Sequence, residues 1–331
     1  MTEQEATRGR VAVIGCGLVG RSWAIAFARG GYGVRLYDRM AGVAEDAVRE
    51  IARMAPPLAE LGLLGGETPD RVLGRIAAAE TLAEATKDAS HVQENVAERL
   101  DVKRTLLTEL EQLVEGKTVL ASSTSALMPS DLSQGLAHPE RCLVAHPLNP
   151  PHLVPAVEIV PGPRTSAAAM AATARLMTTC GQSPIRMRAE TEGFVMNRLQ
   201  GALLDEAFAL VAEDLASVDD IDTAIRDGLA RRWSVVGPFE TIDLNAPDGV
   251  AGFFERYGAA YETIGRHRPS RPAWVGVLGE RVVAARRKRL DLADIADRQA
   301  WRDARLAQLA AHIVGRDAAE ACSPPDAKDE R

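Results

Sequence analysis

The chain has 331 residues, 46% of them hydrophobic, a length that supports two domains with cores of their own. A formal net charge of −7, with Lys and Arg scattered, argues against a nucleic-acid partner, and no apolar run approaches the roughly 18 residues of a membrane span. No signal-peptide pattern opens the chain, and its four cysteines (Cys16, Cys142, Cys180, Cys322) suggest neither a disulfide framework nor a zinc site, so a reducing cytoplasm is expected.

The start, MTEQEATRGR, is polar and is expected to be disordered. VAVIG (11–15) then reads as a strand. It runs into the pattern G-x-G-x-x-G at Gly15, Gly17 and Gly20, and RSWAIAFARGG after it reads as an amphipathic helix. In that context Gly15, Gly17, Leu18, Val19 and Gly20 bring backbone and a helix N-terminus up to a pyrophosphate. An ordinary turn and a FAD site are the alternatives. GVRLYD (33–38) is a second strand and ends in Asp38, eighteen residues after Gly20. An acid there accepts hydrogen bonds from the adenosine ribose and repels a 2′-phosphate, which favours NAD over NADP. Arg39 beside it pulls the other way.

Further β-like runs follow at 75–79, 91–95, 118–123, 142–147, 156–160 and 184–188, with helical spacing between them at 98–115 and 165–180. Alternating β and α elements imply an α/β fold, a doubly wound, mostly parallel Rossmann-type sheet. After about residue 190 the strand signal fades. Residues 193–215 read as one long helix, with Val195, Leu199, Ala202, Leu203, Ala207 and Leu210 at three- and four-residue spacing. Residues 218–229, 247–266 and 294–313 also read as helices, and RRKR (286–289) as a solvated helix face. The expected organisation is a Rossmann-like domain over 1–190, a helical substrate and dimerisation domain over 191–316, and a disordered tail over 317–331.

Three stretches hold candidates for chemistry: ASSTSALMPSDL with Ser125, VAHPLNPP with His146, and EGFVMNRL with Asn197. Ser125 and His146 sit at the carboxyl ends of strands, where ligands bind in an open α/β sheet. Glu158, in the strand AVEIV, is placed to reach the imidazole. Hydride transfer to or from an alcohol needs a base for the hydroxyl proton, a carboxylate to fix its tautomer, and donors to the oxyanion. His146, Glu158, Ser125 and Asn197 supply those parts. Each also has a structural alternative: a buried histidine, an ion-paired glutamate, a turn hydroxyl, a capping amide. No metal site is expected, since His146 and His152 have no further ligands spaced to help.

These residues resemble a known family. The stretches GRSWAIAFARGGYGVRLYD, SSTSALMPS, VAHPLNPPHLVPAVEIVPGP, GFVMNRLQGALLDEAF, GPFETIDLNA and RQAWRDARL are similar to the L-3-hydroxyacyl-CoA dehydrogenase superfamily, in particular its lambda-crystallin and L-gulonate 3-dehydrogenase branch. The resemblance implies that His146 is the catalytic base, that Glu158 is its partner acid, and that Ser125 and Asn197 hold the substrate oxygen. It implies that Glu98, Lys103, Asn149 and Ser125 contact the cofactor, and that the chain forms a homodimer through its helical domain.

One departure stands out. Family members acting on acyl-CoA carry a serine and a lysine after the second strand, and residues 47–64 hold neither, although Arg49 and Arg53 lie there. LARRWSVVGP (229–238) resembles the small-acid branch, and its Arg232 suits a free carboxylate. The expectation is therefore NAD-dependent hydride transfer at C3 of a free L-3-hydroxy or 3-oxo acid, an L-gulonate-like one favoured. Alternatives are a 3-hydroxyacyl-CoA dehydrogenase, a ketoreductase of a polyketide 3-oxo acid, and a non-catalytic NADH-binding crystallin-like protein.

Overall fold

The structure is a computed structural model, described here over residues 8–266 and 276–321. The first seven residues and 322–331, the greater part of the tail expected to be disordered, lie outside the described residues; 317–321 form the end of a helix, Ile295–Ala321.

All eight expected strands form. They are β1 (Arg10–Ile14), β2 (Gly33–Tyr37), β3 (Ile76–Ala78), β4 (Ala89–Glu94), β5 (Val119–Ser122), β6 (Cys142–Pro147), β7 (Ala156–Pro161) and β8 (Ser183–Arg186). They make one sheet in the order β3-β2-β1-β4-β5-β6-β7-β8. Every pairing is parallel except β6 with β7, where the chain returns through a short link instead of a helical crossover. The order reverses between β1 and β4, which opens a crevice at their carboxyl ends.

The sheet is covered on both faces, so its strands are apolar on both. Along β1, Val11 and Val13 enter one core and Ala12 and Ile14 the other, as the two-residue strand period requires. The helix Leu18–Arg29 packs Trp23, Ala24 and Phe27 into the first core, with the Trp23 and Phe27 rings stacked 5.1 Å apart. The helix Leu100–Leu113 packs Leu107 and Leu110 into the second.

The chain divides into two compact units. One runs to Val195 and takes up the chain again from Arg298; the other is Met196–Asp297. The helical unit is thus shorter than the sequence suggests at its C-terminal end. The helix Ile295–Ala321 returns to the α/β unit because Leu306, Ala307, Ala310 and Ala311 form a stripe against its first core. The long helix begins at Met196 rather than 193, because Gly193 and Phe194 take left-handed backbone (φ 74° and 50°), and it ends at Ala212. The helical unit also contains Val218–Thr223, Ala230–Trp233, Pro238–Leu244, Gly249–Arg266 and Val277–Arg289. The basic run is ion-paired there: Arg286 with Asp222 at 3.0 Å and Arg289 with Asp219 at 2.8 Å.

Candidate active site

The glycine loop leaves β1 and enters the helix Leu18–Arg29, and its three glycines answer to three different demands. Gly15 has φ 92°, and a Cβ there would lie 2.7 Å from the Asn95 backbone. A Cβ on Gly20 would lie 2.0 Å from the Gly15 carbonyl oxygen, so that glycine lets the helix pack on the loop. A Cβ on Gly17 would meet no protein atom within 4 Å. Gly17 is also the N-cap, and no side chain caps the helix, whose first turn contains Leu18 and Val19. The space above Gly17 and the free N–H groups below it suit a pyrophosphate.

Beside the loop lies a cavity of about 630 Å3, walled by Gly15, Gly17, Asp38, Arg39 and Asn95, with Leu82 and Val102 as apolar sides. The half-buried Asp38 accepts the Cys16 N–H on Oδ2 (2.9 Å) and the Met40 N–H on Oδ1 (3.0 Å). Each oxygen keeps a lone pair for a ribose hydroxyl. The residues present therefore fit NAD.

His146 and Glu158 face each other across the antiparallel β6–β7 pair, in register. The His146 Nδ1 lies 2.7 Å from Glu158 Oε2, with both side chains buried. A carboxylate only accepts, so the proton sits on Nδ1 and Nε2 is left as the basic nitrogen. The other Glu158 oxygen accepts the Val195 N–H at 2.7 Å. Phe194, fully buried in its left-handed conformation, sets its ring 5.6 Å from the imidazole. The dyad is thereby held from two sides by the segment that leaves the α/β unit.

Glu98 and Lys103 belong to one polar network at the carboxyl ends of β4 and β5. The half-exposed Glu98 accepts the Thr124 hydroxyl and, at 3.0 Å, the Ser125 N–H. Its partial burial raises the carboxyl pKa, but the Thr124 hydroxyl, the Lys103 ammonium and the Ser125 N–H outweigh this and hold it below the usual range. Lys103 is 1% exposed. Its Nζ donates to both oxygens of Glu94 (2.8 and 3.0 Å) and to the Val96 carbonyl (3.1 Å), and stands 3.4 Å from Glu98. Burial raises the Glu94 carboxyl; the Lys103 ammonium, the Ser122 hydroxyl and the Val96 N–H pull it back. Asn149 is exposed just past β6.

Asn197 and Arg232 fall in the helical unit. Asn197 is on the first turn of Met196–Ala212, and Arg232 is on Ala230–Trp233. The sequence reading missed Glu94, and it missed a partly buried relay in which Ser123 Oγ links Trp23 Nε1, Gln93 Nε2 and Asn95 Oδ1 at 2.7–3.0 Å. The available signal was HVQEN itself, where Gln and Glu stand in a strand buried on both faces.

Residues 10–191 match the family model "3-hydroxyacyl-CoA dehydrogenase, NAD binding domain", and residues 193–281 match "3-hydroxyacyl-CoA dehydrogenase, C-terminal domain". The chain belongs to the 3-hydroxyacyl-CoA dehydrogenase family. Within that family it lies in the lambda-crystallin branch: it is 42% identical to lambda-crystallin of Oryctolagus cuniculus over 305 residues, 91% of this chain and 95% of that protein. It is 40% identical to an L-carnitine dehydrogenase of Streptomyces coelicolor over 305 residues, 92% and 94% of the two chains. Among solved structures it resembles 5-formyl-3-hydroxy-2-methylpyridine 4-carboxylic acid 5-dehydrogenase, an NAD+-dependent dismutase, with a TM-score of 0.74 and 25% identity over 92% of this chain and 97% of that one. As a member of the 3-hydroxyacyl-CoA dehydrogenase family, the protein is an NAD-dependent oxidoreductase acting on a CH–OH group. Among the described residues no helix is long and apolar enough to cross a membrane.

Proposed function

We propose that the protein transfers a hydride between NAD and C3 of a free L-3-hydroxy or 3-oxo carboxylic acid, with an L-gulonate-like acid as the starting expectation. The observation that carries the reading is the His146–Glu158 pair, a buried imidazole with its Nδ1 committed to a carboxylate at 2.7 Å. NAD, when bound, accepts or returns the hydride. In oxidation His146 Nε2 takes the hydroxyl proton, and Glu158 holds the ring and supports the imidazolium. Ser125 and Asn197 donate hydrogen bonds to the reacting oxygen. In reduction His146 returns the proton. Gly15, Gly17, Leu18, Val19 and Gly20 bind the pyrophosphate and Asp38 the adenosine ribose, with Glu98 and Asn149 toward the nicotinamide ribose and Lys103 supporting Glu98 from behind. A homodimer through the helical unit goes with this reading, by the same resemblance.

Support for a free acid over a thioester comes from three places. The helix Val43–Glu60 offers no serine or lysine over residues 47–60. Its Arg49 and Arg53 are ion-paired with Asp46 and Glu50 on the same helix. L-carnitine, in the name of the Streptomyces relative, is itself a free carboxylate. Initial rates of NADH formation or consumption with L-gulonate, L-3-hydroxybutyrate and L-carnitine, against acetoacetyl-CoA, test the reading. Turnover of a free acid with little on the thioester is expected; preference for acetoacetyl-CoA overturns it. His146→Gln should lower kcat by about a hundredfold or more, the scale of general-base catalysis, while NADH binding persists. Near-normal turnover of that variant would remove His146 as the base.

A further inference from the structure

The backbone ladders of the central strands stop where the glycine loop begins. Ile14 with Glu94 and Glu94 with Ser122 are the last pairs joining β1, β4 and β5. Gly15, Asn95 and Ser123 come next on the three strands. Asn95 is also on the wall of the cavity beside the loop. From this level a set of side-chain hydrogen bonds continues the cross-linking, with Ser123 at its centre.

The partners fix the direction of every bond in the set. Trp23 Nε1 can only donate, and it gives its proton to Ser123 Oγ at 3.0 Å. The Ala145 carbonyl can only accept, and it holds Gln93 Nε2 at 3.2 Å, which leaves the same nitrogen donating to Ser123 Oγ at 2.7 Å. The Gln93 and Ile14 carbonyls likewise draw Asn95 Nδ2, to 2.8 and 3.4 Å, and turn Asn95 Oδ1 toward Ser123. Ser123 thus accepts twice, and its one proton goes to Asn95 Oδ1 at 2.7 Å, which is its full capacity. Gln93 Oε1 is met by His91 Nε2 at 3.0 Å.

Asn95 passes this constraint to the loop. Its N–H donates to the Ile14 carbonyl at 2.7 Å, and a Cβ on Gly15 would lie 2.7 Å from its carbonyl carbon and oxygen. With contacts this close, a tilt of Asn95 moves Gly15. Hydrogen bonds weaken steeply away from good geometry, so a moved loop aims its N–H groups less well at a pyrophosphate. We propose that Ser123 is a positioning residue for the cofactor: by holding the Asn95 side chain, its hydroxyl sets where β1 delivers Gly15 and so where the glycine loop meets NAD. The inference rests on the reading of that loop as the pyrophosphate site and adds to it the group that keeps the loop in place.

The experiment measures Kd for NADH and for ADP-ribose by calorimetry with the full chain, in a cycle of Ser123→Ala, Asn95→Ala and the double variant. Ser123→Ala should weaken NADH by about tenfold, the scale of coupling within one hydrogen-bond network. ADP-ribose keeps the pyrophosphate and lacks the nicotinamide, so it should weaken by the same factor. Ser123→Cys, which fills the space but is a poor donor, should do likewise. In the Asn95→Ala background, loss of the Ser123 hydroxyl should change either Kd by less than about twofold, because the path to the loop is already cut. Val119→Ala removes buried volume from the far end of the same strand and should lower stability while both Kd values hold. Additive losses in the cycle would overturn the inference, since Ser123 would not act through Asn95. A loss confined to NADH would also overturn it, by placing the effect at the nicotinamide end near Ser125. So would an equal loss in Val119→Ala, which would reduce the effect to stability. Gly17→Ala separates the two levels of the argument. If it weakens both ligands and Ser123→Ala weakens neither, the inference alone falls; if it weakens neither, the loop reading falls and takes the inference with it.

Discussion

Burying an ammonium group costs several kcal/mol unless its protons find acceptors. Lys103 meets that condition with three hydrogen bonds, two to Glu94 and one to the Val96 carbonyl. The charge therefore acts behind Glu98, as an anchor for the carboxylate that takes up the Ser125 N–H. Lys103→Met should leave the fully buried Glu94 without its cation and destabilise the α/β unit by about 3–5 kcal/mol. Glu94→Gln together with Lys103→Met should recover most of that loss, because neither charge then remains. NADH affinity should stay reduced in both variants, since Glu98 has lost its neighbour in each. Urea unfolding read beside NADH titration separates the two effects. A double variant no more stable than the single one would show that Lys103 matters for packing and not for charge. Glu94 escaped the sequence reading for the same physical reason: an acid in an apolar strand reads as an anomaly until its partner, nine residues on, is brought against it by the fold.

At the scale of the element, the strand–loop–helix at the start of the chain was the most legible part of the sequence. Strands buried on both faces show up as short apolar runs, and the loop between them admits only glycine where backbone meets backbone. The structure separates the roles further and yields a contrast. Gly17→Ala adds a methyl that touches no protein atom within 4 Å, at a residue with φ −67° that alanine also adopts. It should leave the melting temperature within about 2 °C of the native value, a change of a few tenths of a kcal/mol, and weaken NADH binding by about tenfold or more. Gly20→Ala drives a methyl to within 2.0 Å of the Gly15 carbonyl and should lower both stability and affinity. Equal NADH affinity in native protein and Gly17→Ala would place the pyrophosphate elsewhere. Less legible were the ends of elements and their allegiance. Periodicity showed that the C-terminal stretch is helical, but not that Leu306 and Ala307 pack on the α/β core. Apolar spacing also ran the long helix back through Phe194, whose left-handed backbone serves the His146–Glu158 pair instead.

Across the whole molecule, the α/β unit buries His91 and His152 as neutral groups away from the proposed chemistry, and this ties stability to pH. Burial pushes His91 down from 6.5 to about 4, partly opposed by its hydrogen bond to Gln93. Burial, helped by the Arg29 guanidinium, pushes His152 down from 6.5 to about 4. In the unfolded chain both return to the ordinary histidine value near 6.5. Between about pH 6.5 and 4 the unfolded state therefore binds more protons than the folded one, so stability falls as the pH falls through that window. The slope is up to about 1.4 kcal/mol per pH unit for each histidine, and on the order of 3 kcal/mol each over the whole window. Below pH 4 both states are protonated at these sites and the contribution levels off. His91→Gln removes one titrating group and keeps a polar side chain beside Gln93. The variant is expected to be less stable near neutrality, because the imidazole edge packs on Phe27. The informative quantity is therefore the slope of unfolding free energy against pH, in which contributions common to both proteins, such as the Glu94–Lys103 pair, cancel. Urea unfolding at half-unit steps from pH 7.5 to 4 should give a shallower line for His91→Gln than for the native chain. Parallel lines would mean that His91 takes up its proton in the folded state without cost, and that the acid sensitivity of this fold has another source.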